Sequence, residues 1–184
     1  MTEYAEAGFP DCVGSTDCTQ ITMEGCEYNL TNNHLSGKSS HTTCMFNLMC
    51  NHRGRILHTT CGDPGCWNDM TMVRFDTFLT KVRAGWILTD NEFELLSYSK
   101  EGNIISIWYN GNGVYIIVYN GYLAWSCTVH PLSVTDNINE TRWTRFVESK
   151  HNDVECTFGI LKGRWRILKT GVHVYGIVNV RIDG

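Results

Sequence analysis

Residues 12–23 read CVGSTDCTQITM, a stretch rich in Val, Thr and Ile that contains no proline. This composition predicts a β-strand. Because side chains alternate along a strand, one face is expected to carry Val13, Ser15, Asp17, Thr19 and Ile21. Asp17 is then an acid in the middle of a strand, among β-branched residues. An acid is unexpected at such a position, so its presence requires an explanation.

Two more strands and a helix are expected next. Residues 42–51 (TTCMFNLMCN) and 55–61 (RILHTTC) flank a turn at 52–54, a pattern typical of an antiparallel hairpin. A Gly/Pro-marked loop follows, and Asn68 is placed to cap a helix over residues 69–81. The residues expected on the inner face of this helix are Met72, Phe75 and Leu79.

The second half of the chain predicts another hairpin and a long helix. Residues 103–109 and 114–118 flank an Asn-Gly-Asn-Gly segment, a strong hairpin signal. The run VYIIV at 114–118 is apolar throughout, which indicates a buried central strand. From about residue 144 to 169 two stripes follow helical spacing. The apolar stripe contains Val147, Val154, Phe158, Leu161, Trp165 and Leu168, and its neighbour contains Glu155, Gly159, Lys162 and Arg166.

These elements predict a mixed α/β fold, with a mixed β-sheet flanked by helices. A length of 184 residues suits a single domain. The net charge of -4 argues against a dedicated nucleic-acid module, although basic residues crowd into 162–169. No run of 18 apolar residues occurs, so no membrane span is expected. The nine cysteines follow no secretory signal and are interpreted as reduced thiols.

Three acids stand out by their positions: Asp17 in the first strand, Asp69 at the start of the helix after the hairpin, and Glu155 beside the apolar stripe of the last helix. If the fold brings them together, their like charges are costly unless divalent cations neutralise them. Two Mg²⁺ ions held by carboxylates activate a water or a 3′-hydroxyl and stabilise the leaving oxygen of a phosphodiester. The three acids therefore predict a phosphoryl-transfer nuclease.

Five stretches, in order and over nearly the whole chain, resemble PIF/Harbinger transposases, and most closely their plant-transposon-like branch. They are residues 8–19 (GFPDCVGSTDCT), 46–58 (FNLMCNHRGRILH), 64–69 (PGCWND), 120–125 (NGYLAW) and 153–166 (DVECTFGILKGRWR).

The resemblance implies an RNase H-like fold and a DDE endonuclease that cuts DNA at transposon ends with Mg²⁺ or Mn²⁺. It makes Asp17, Asp69 and Glu155 the metal-binding acids, and Lys162 and Arg166 contacts to DNA phosphate. It also implies action in the nucleus and a Myb-like DNA-binding partner protein. Members of that family carry a helix-turn-helix region upstream and a closing helix downstream. Residues 1–184 are therefore expected to be one catalytic domain, short at both ends.

One departure bears on activity. Where the resembled family has Asp-Asn-Gly-Tyr after the buried strand, this chain has Tyr119-Asn120-Gly121-Tyr122. A phenol with a reference pKa of about 10 is a poor Mg²⁺ ligand. Tyr119 thus marks a degenerate ligand position, and two hypotheses about the function of the chain stay open. The chain is either a working nuclease or a domesticated remnant that only binds.

Other readings of the same residues also stay open. An acid at a helix start, such as Asp69, is commonly structural, and the basic residues at 162–169 could form a solvated helix face. The cysteines and histidines of residues 44–66 allow a structural zinc site, although only Cys61 and Cys66 have a fitting gap.

The sequence also gives geometric expectations. The carboxylates of Asp17 and Glu155 should approach within roughly 4–8 Å, as ligands of ions about 4 Å apart would. Asp69 should lie at the rim of the same pocket, and Tyr119 next to Asp17. Apolar surface near residues 165–180 should be uncovered, so that the chain is expected to associate or to be poorly soluble.

Overall fold

The computed structural model describes residues 2–24, 28–37, 40–88, 93–98, 104–109, 114–132 and 137–173. The strands in these ranges are β1 (Cys12–Glu24), β2 (Thr43–Cys50), β3 (Ile56–Thr59), β4 (Asp63–Pro64), β5 (Phe93–Tyr98), β6 (Ile104–Tyr109), β7 (Tyr115–Ile117), β8 (Thr128–Val129) and β9 (Val172–His173). The helices are α1 (Thr2–Glu6), α2 (Tyr28–His34), α3 (Asp69–Phe75), α4 (Thr77–Arg83), α5 (Ile138–Arg164) and α6 (Arg166–Thr170). Within these ranges, no helix has the length and apolar character needed to cross a membrane.

The main sheet has five strands side by side in the order β3-β2-β1-β7-β8, and β4 and β9 add short pairings to β2 and β1. β2 is antiparallel to β1 and β3, whereas β7 is parallel to β1 and β8. Buried side chains of α3 and α4 pack on one face, and those of α1 and α5 pack on the other. The fold is therefore the predicted mixed α/β class, with an RNase H-like sheet flanked by helices.

Alternation along β1 decides which side chains meet α5. Ser15, Asp17, Thr19 and Ile21 lie on the side that α5 covers, as predicted. Val13 packs instead into the core cluster on the α3 and α4 side. The pairing of β1 with β7 shifts register between Cys12 and Gly14, and this irregularity reverses the side on which Val13 lies.

The helix predicted over residues 69–81 is two helices. Asp76 ends α3 and begins α4, because its carboxylate accepts hydrogen bonds from the backbone N–H groups of Phe78 and Leu79. The break between α3 and α4 changes which side chains face the core. Met72 and Leu79 are buried as predicted, but Phe75 is 65% exposed.

The hairpin predicted between residues 103 and 118 is wrong. β6 pairs antiparallel with β5 in a separate two-stranded sheet, while β7 joins β1 and β8 in parallel pairings. The Asn-Gly segment that suggested the hairpin lies outside the described residues. The apolar sequence of β7 is explained by its central place, with Ile116 and Ile117 fully buried.

The last predicted helix is also divided. α5 begins earlier than expected, where the Asn137 side chain accepts from the N–H of Asn139. It ends at Arg164, because the next residue, Trp165, has an extended backbone (φ -113°, ψ 100°) and a side chain that is 52% exposed. Arg166 therefore starts the separate helix α6 and does not continue the face that carries Glu155.

Candidate metal centre

Two elements on the same side of the sheet bring three potential ligands together. β1 supplies Asp17, and α5 supplies His151 and Glu155, which are four residues apart and so share one helix face. One ligand atom from each residue lies within 4.8 Å of the others. We refer to these three residues as the Asp–His–Glu cluster. The predicted approach of Asp17 to Glu155 is thus observed.

His151 is the buried member of the cluster. Its Nε2 atom lies 4.0 Å from Oδ2 of Asp17, beyond hydrogen-bond distance, and its side chain is 4% exposed. Burial lowers the pKa of His151 to about 4, although the nearby Asp153 acts in the opposite direction. The imidazole is therefore neutral at pH 7 and keeps a lone pair on one nitrogen.

Tyr119 lies beside the cluster, as the sequence predicted. Ser15 pairs with Ile117 in the parallel ladder of β1 and β7. Asp17 lies two residues after Ser15 within β1, and Tyr119 lies two residues after Ile117, just beyond the end of β7. The Tyr119 ring, 51% exposed, lies 5.7 Å from the His151 ring between centroids, at an interplanar angle of 31°.

Asp69 lies at the start of α3, beside the loop that follows β7. A Cβ added to Gly121 would lie 3.3 Å from Asp69 Oδ2, so the backbone of that loop runs against this acid. Burial raises the pKa of the Cys18 thiol, and the nearby carboxylates of Asp69 and Asp17 raise it further. Both acids are thus near Cys18. Asp69 is not among the three residues whose ligand atoms converge within 4.8 Å.

The loop after β7 is fixed to the sheet by a buried polar network. Asn47 is fully buried, and its Oδ1 accepts hydrogen bonds from Thr16 Oγ1 at 2.9 Å and from Tyr122 OH at 3.1 Å. Its Nδ2 donates to Asp76 at 2.8 Å, and His58 Nε2 lies 3.0 Å from the same carboxylate. These contacts hold the loop containing Tyr122 in place beside the cluster.

The two predicted phosphate-contacting residues border one shallow depression. Lys162 Nζ donates to Thr19 Oγ1 at 2.9 Å, and Thr19 is two residues beyond Asp17 on the same face of β1. Lys162 is thereby held close to the cluster. It lines the depression together with Arg166 and Lys169, although Arg166 belongs to a different helix. The depression is rich in positive charge.

The cysteines and histidines considered for zinc do not converge. His52 Nδ1 pairs with Asp153 Oδ2 at 2.8 Å, and the buried Cys50 accepts from Thr157 Oγ1 at 3.4 Å. Residues 44–66 are all described, and no group of three or more His, Cys, Asp or Glu ligands assembles among them. The geometry does not support the zinc alternative.

The Asp–His–Glu cluster suits a divalent cation. Ligand atoms bound at about 2.1 Å to one cation lie about 3–4 Å apart, and small side-chain movements from the observed separations would reach that range. Two carboxylates also supply the negative charge that such a cation neutralises. The donor set of two oxygen ligands and one nitrogen ligand thus fits the group that the sequence implied.

Sequence reasoning missed His151. The apolar stripe has a seven-residue step from Val147 to Val154, and position 151 lies in that gap, four residues after Val147 and four before Glu155. A polar residue on the core side of a helix, one turn before a candidate ligand, was the available signal.

An RNase H-like sheet with acids on its first strand and on the helix packed against it defines a class of α/β domains with a candidate metal centre. A family model described as plant transposon protein matches residues 3–182. The chain belongs to this family and is a transposon-related protein. No curated protein and no solved structure matches it.

Proposed function

We propose that this chain is the catalytic core of a PIF/Harbinger-type DDE transposase, a divalent-metal-dependent endonuclease that cuts phosphodiester bonds at transposon ends. The observation that carries the proposal is the convergence of Asp17 and Glu155 from separate elements. Membership of a transposon family supports it. DNA is then the substrate, the nucleus the place of action, and a Myb-like protein a partner.

In this proposal the residues have distinct roles. Asp17 and Glu155 hold Mg²⁺ or Mn²⁺, and Asp69 adds negative charge from the other side of the loop after β7. A cation held there would supply Lewis-acid activation of a water or a 3′-hydroxyl and would stabilise the leaving oxygen. Lys162, placed by Thr19, donates to a backbone phosphate, and Arg166 extends this contact along the strand.

A second candidate is a catalytically degenerate remnant that acts as a binding module. The observation that favours it is Tyr119, which stands where the resembled family has an acid and whose ring lies 5.7 Å from the His151 ring between centroids. One negative charge and one hard oxygen ligand are then missing from the site. The basic depression around Lys162 and Arg166 would still bind DNA.

Nicking of supercoiled plasmid DNA in Mn²⁺ and in Mg²⁺ separates the two candidates. The wild-type chain is compared with Glu155→Gln, which keeps the side-chain volume and removes the charge. Glu148→Gln, on an exposed part of the same helix, is the matched control. Cation-dependent nicking that is lost in Glu155→Gln and kept in Glu148→Gln supports the nuclease. DNA binding without nicking, unchanged by Glu155→Gln, supports the binding module.

A further inference from the structure

The strongest unexplained feature of the cluster is His151. It belongs to none of the motifs that pointed to the site, yet its ring nitrogen lies within 4.8 Å of ligand atoms from both acids. We propose that His151 is a third protein ligand of the cation, which makes the site a two-carboxylate, one-imidazole centre that favours Mn²⁺ over Mg²⁺. This inference rests on the proposed cation-binding role of the site.

Hydrogen bonds to the described residues do not explain the position of His151. The residue is 3% exposed and lies on the helix face between Val147 and Val154, both fully buried. Its Nδ1 atom is buried and has no hydrogen-bond partner among the described residues. Buried polar atoms are normally satisfied, so hydrogen bonding to the described residues does not account for an imidazole at this depth.

The other ring nitrogen faces the acids. Nε2 lies 4.0 Å from Oδ2 of Asp17, a gap too long for a hydrogen bond but close to the separation of two atoms that bind one cation.

The ligand set has a consequence for the choice of cation. Carboxylate oxygens suit Mg²⁺ and Mn²⁺ alike, whereas an imidazole nitrogen is a ligand that transition ions accept more readily than Mg²⁺ does. Tyr119 stands where the resembled family has an acid, and among the described residues the side chain that converges with Asp17 and Glu155 is His151. The nitrogen therefore compensates for the missing oxygen ligand, and it shifts the preference of the site toward Mn²⁺ and later transition ions.

Mn²⁺ binding followed by electron paramagnetic resonance tests the inference without relying on activity. In wild-type protein loaded with substoichiometric Mn²⁺, pulsed spectra are expected to show coupling to a ¹⁴N nucleus. Labelling the protein with ¹⁵N-histidine should change that coupling, which assigns it to histidine even if a variant fails to fold. His151→Gln should abolish it, while His41→Gln, an exposed histidine variant, should leave it intact.

The same variants give affinities by titration. His151→Gln should lower Mn²⁺ affinity by at least about tenfold, the size of loss that even outer-shell partners bring, and should lower Mg²⁺ affinity less. Mn²⁺ binding that depends on Glu155 but shows no histidine coupling would overturn the role of His151 and leave the proposed metal site standing. A wild-type chain that binds neither cation more tightly than Glu155→Gln would overturn both.

Discussion

Ser15 of β1 pairs with Ile117, the last residue of β7, so Tyr119 follows the end of β7 on the side of the sheet edge toward which β1 continues through Asp17. In the proposed metal site, a second acid at position 119 would supply a further oxygen ligand near Asp17. This chain has a phenol there, in contact with the ring of His151. The first prediction follows from that relationship.

Tyr119→Asp should restore a charged oxygen ligand beside Asp17. We expect Mn²⁺ affinity to rise about tenfold or more, equivalent to about 1.4 kcal/mol, and nicking of DNA to rise with it. Isothermal titration and a plasmid nicking assay measure the two effects. Tyr119→Phe is the control, since it removes the hydroxyl without adding charge and should change neither quantity.

A different result would reassign the second acid. If the natural chain nicks as fast as Tyr119→Asp and Glu155→Ala abolishes nicking, then position 119 is not an essential ligand. Asp69, on the other side of the same loop, would become the second acid of the triad. Asp69→Asn would then remove activity, and the chain would be a working nuclease.

Lys162 should contribute one phosphate contact. Removing one phosphate contact reduces the slope of log binding constant against log salt concentration by about 0.9. Over the tenfold range from 0.1 M to 1 M salt, the loss of affinity caused by salt is then about eightfold smaller. Lys162→Met should therefore weaken binding of a duplex and flatten its salt dependence in fluorescence anisotropy titrations. Lys81→Met, on the opposite side of the sheet, serves as the control. Equal slopes for Lys162→Met and wild type would remove Lys162 from the DNA contacts.

The sequence predicted those parts of the site that depend on local periodicity. Alternation along β1 placed Asp17 on the face that meets α5, and helical spacing placed Glu155 beside the buried stripe. Pairings between distant strands carry no such signal, so the local Asn-Gly pattern predicted a hairpin where β7 instead joins β1. His151 was missed because the search for the buried helix face considered only apolar residues. A neutral imidazole can also occupy a core position on that face.

Apolar surface on and after the end of α5 should promote self-association. Ile160, Trp165 and Ile167 are each more than half exposed among the described residues. Exposed apolar groups of this size favour contacts between copies or with a partner. We expect concentration-dependent association by light scattering, reduced in the Trp165→Glu, Ile167→Glu double variant. Sedimentation as a single monomer at all concentrations would contradict this expectation.

Asp76 should stabilise the fold in a pH-dependent way. Burial alone would raise the pKa of its carboxyl, but the hydrogen bonds from His58, Asn47 and the Leu79 N–H outweigh burial and hold that pKa below its usual 3.8. A carboxyl with a lowered folded-state pKa stabilises the protein fully above the unfolded pKa, and its contribution is lost as pH falls through the folded pKa. Asp76→Asn should therefore lower the free energy of unfolding at pH 7 by about 3 kcal/mol, as the loss of one member of a buried charged network does.

Urea unfolding experiments measure this effect. The difference in free energy of unfolding between wild type and Asp76→Asn should narrow as pH falls below 3.8. Glu148→Gln, an exposed charge-to-amide variant, is the matched control. A difference between wild type and Asp76→Asn that stays constant from pH 7 to pH 3 would show that the charge of Asp76 does not stabilise the fold.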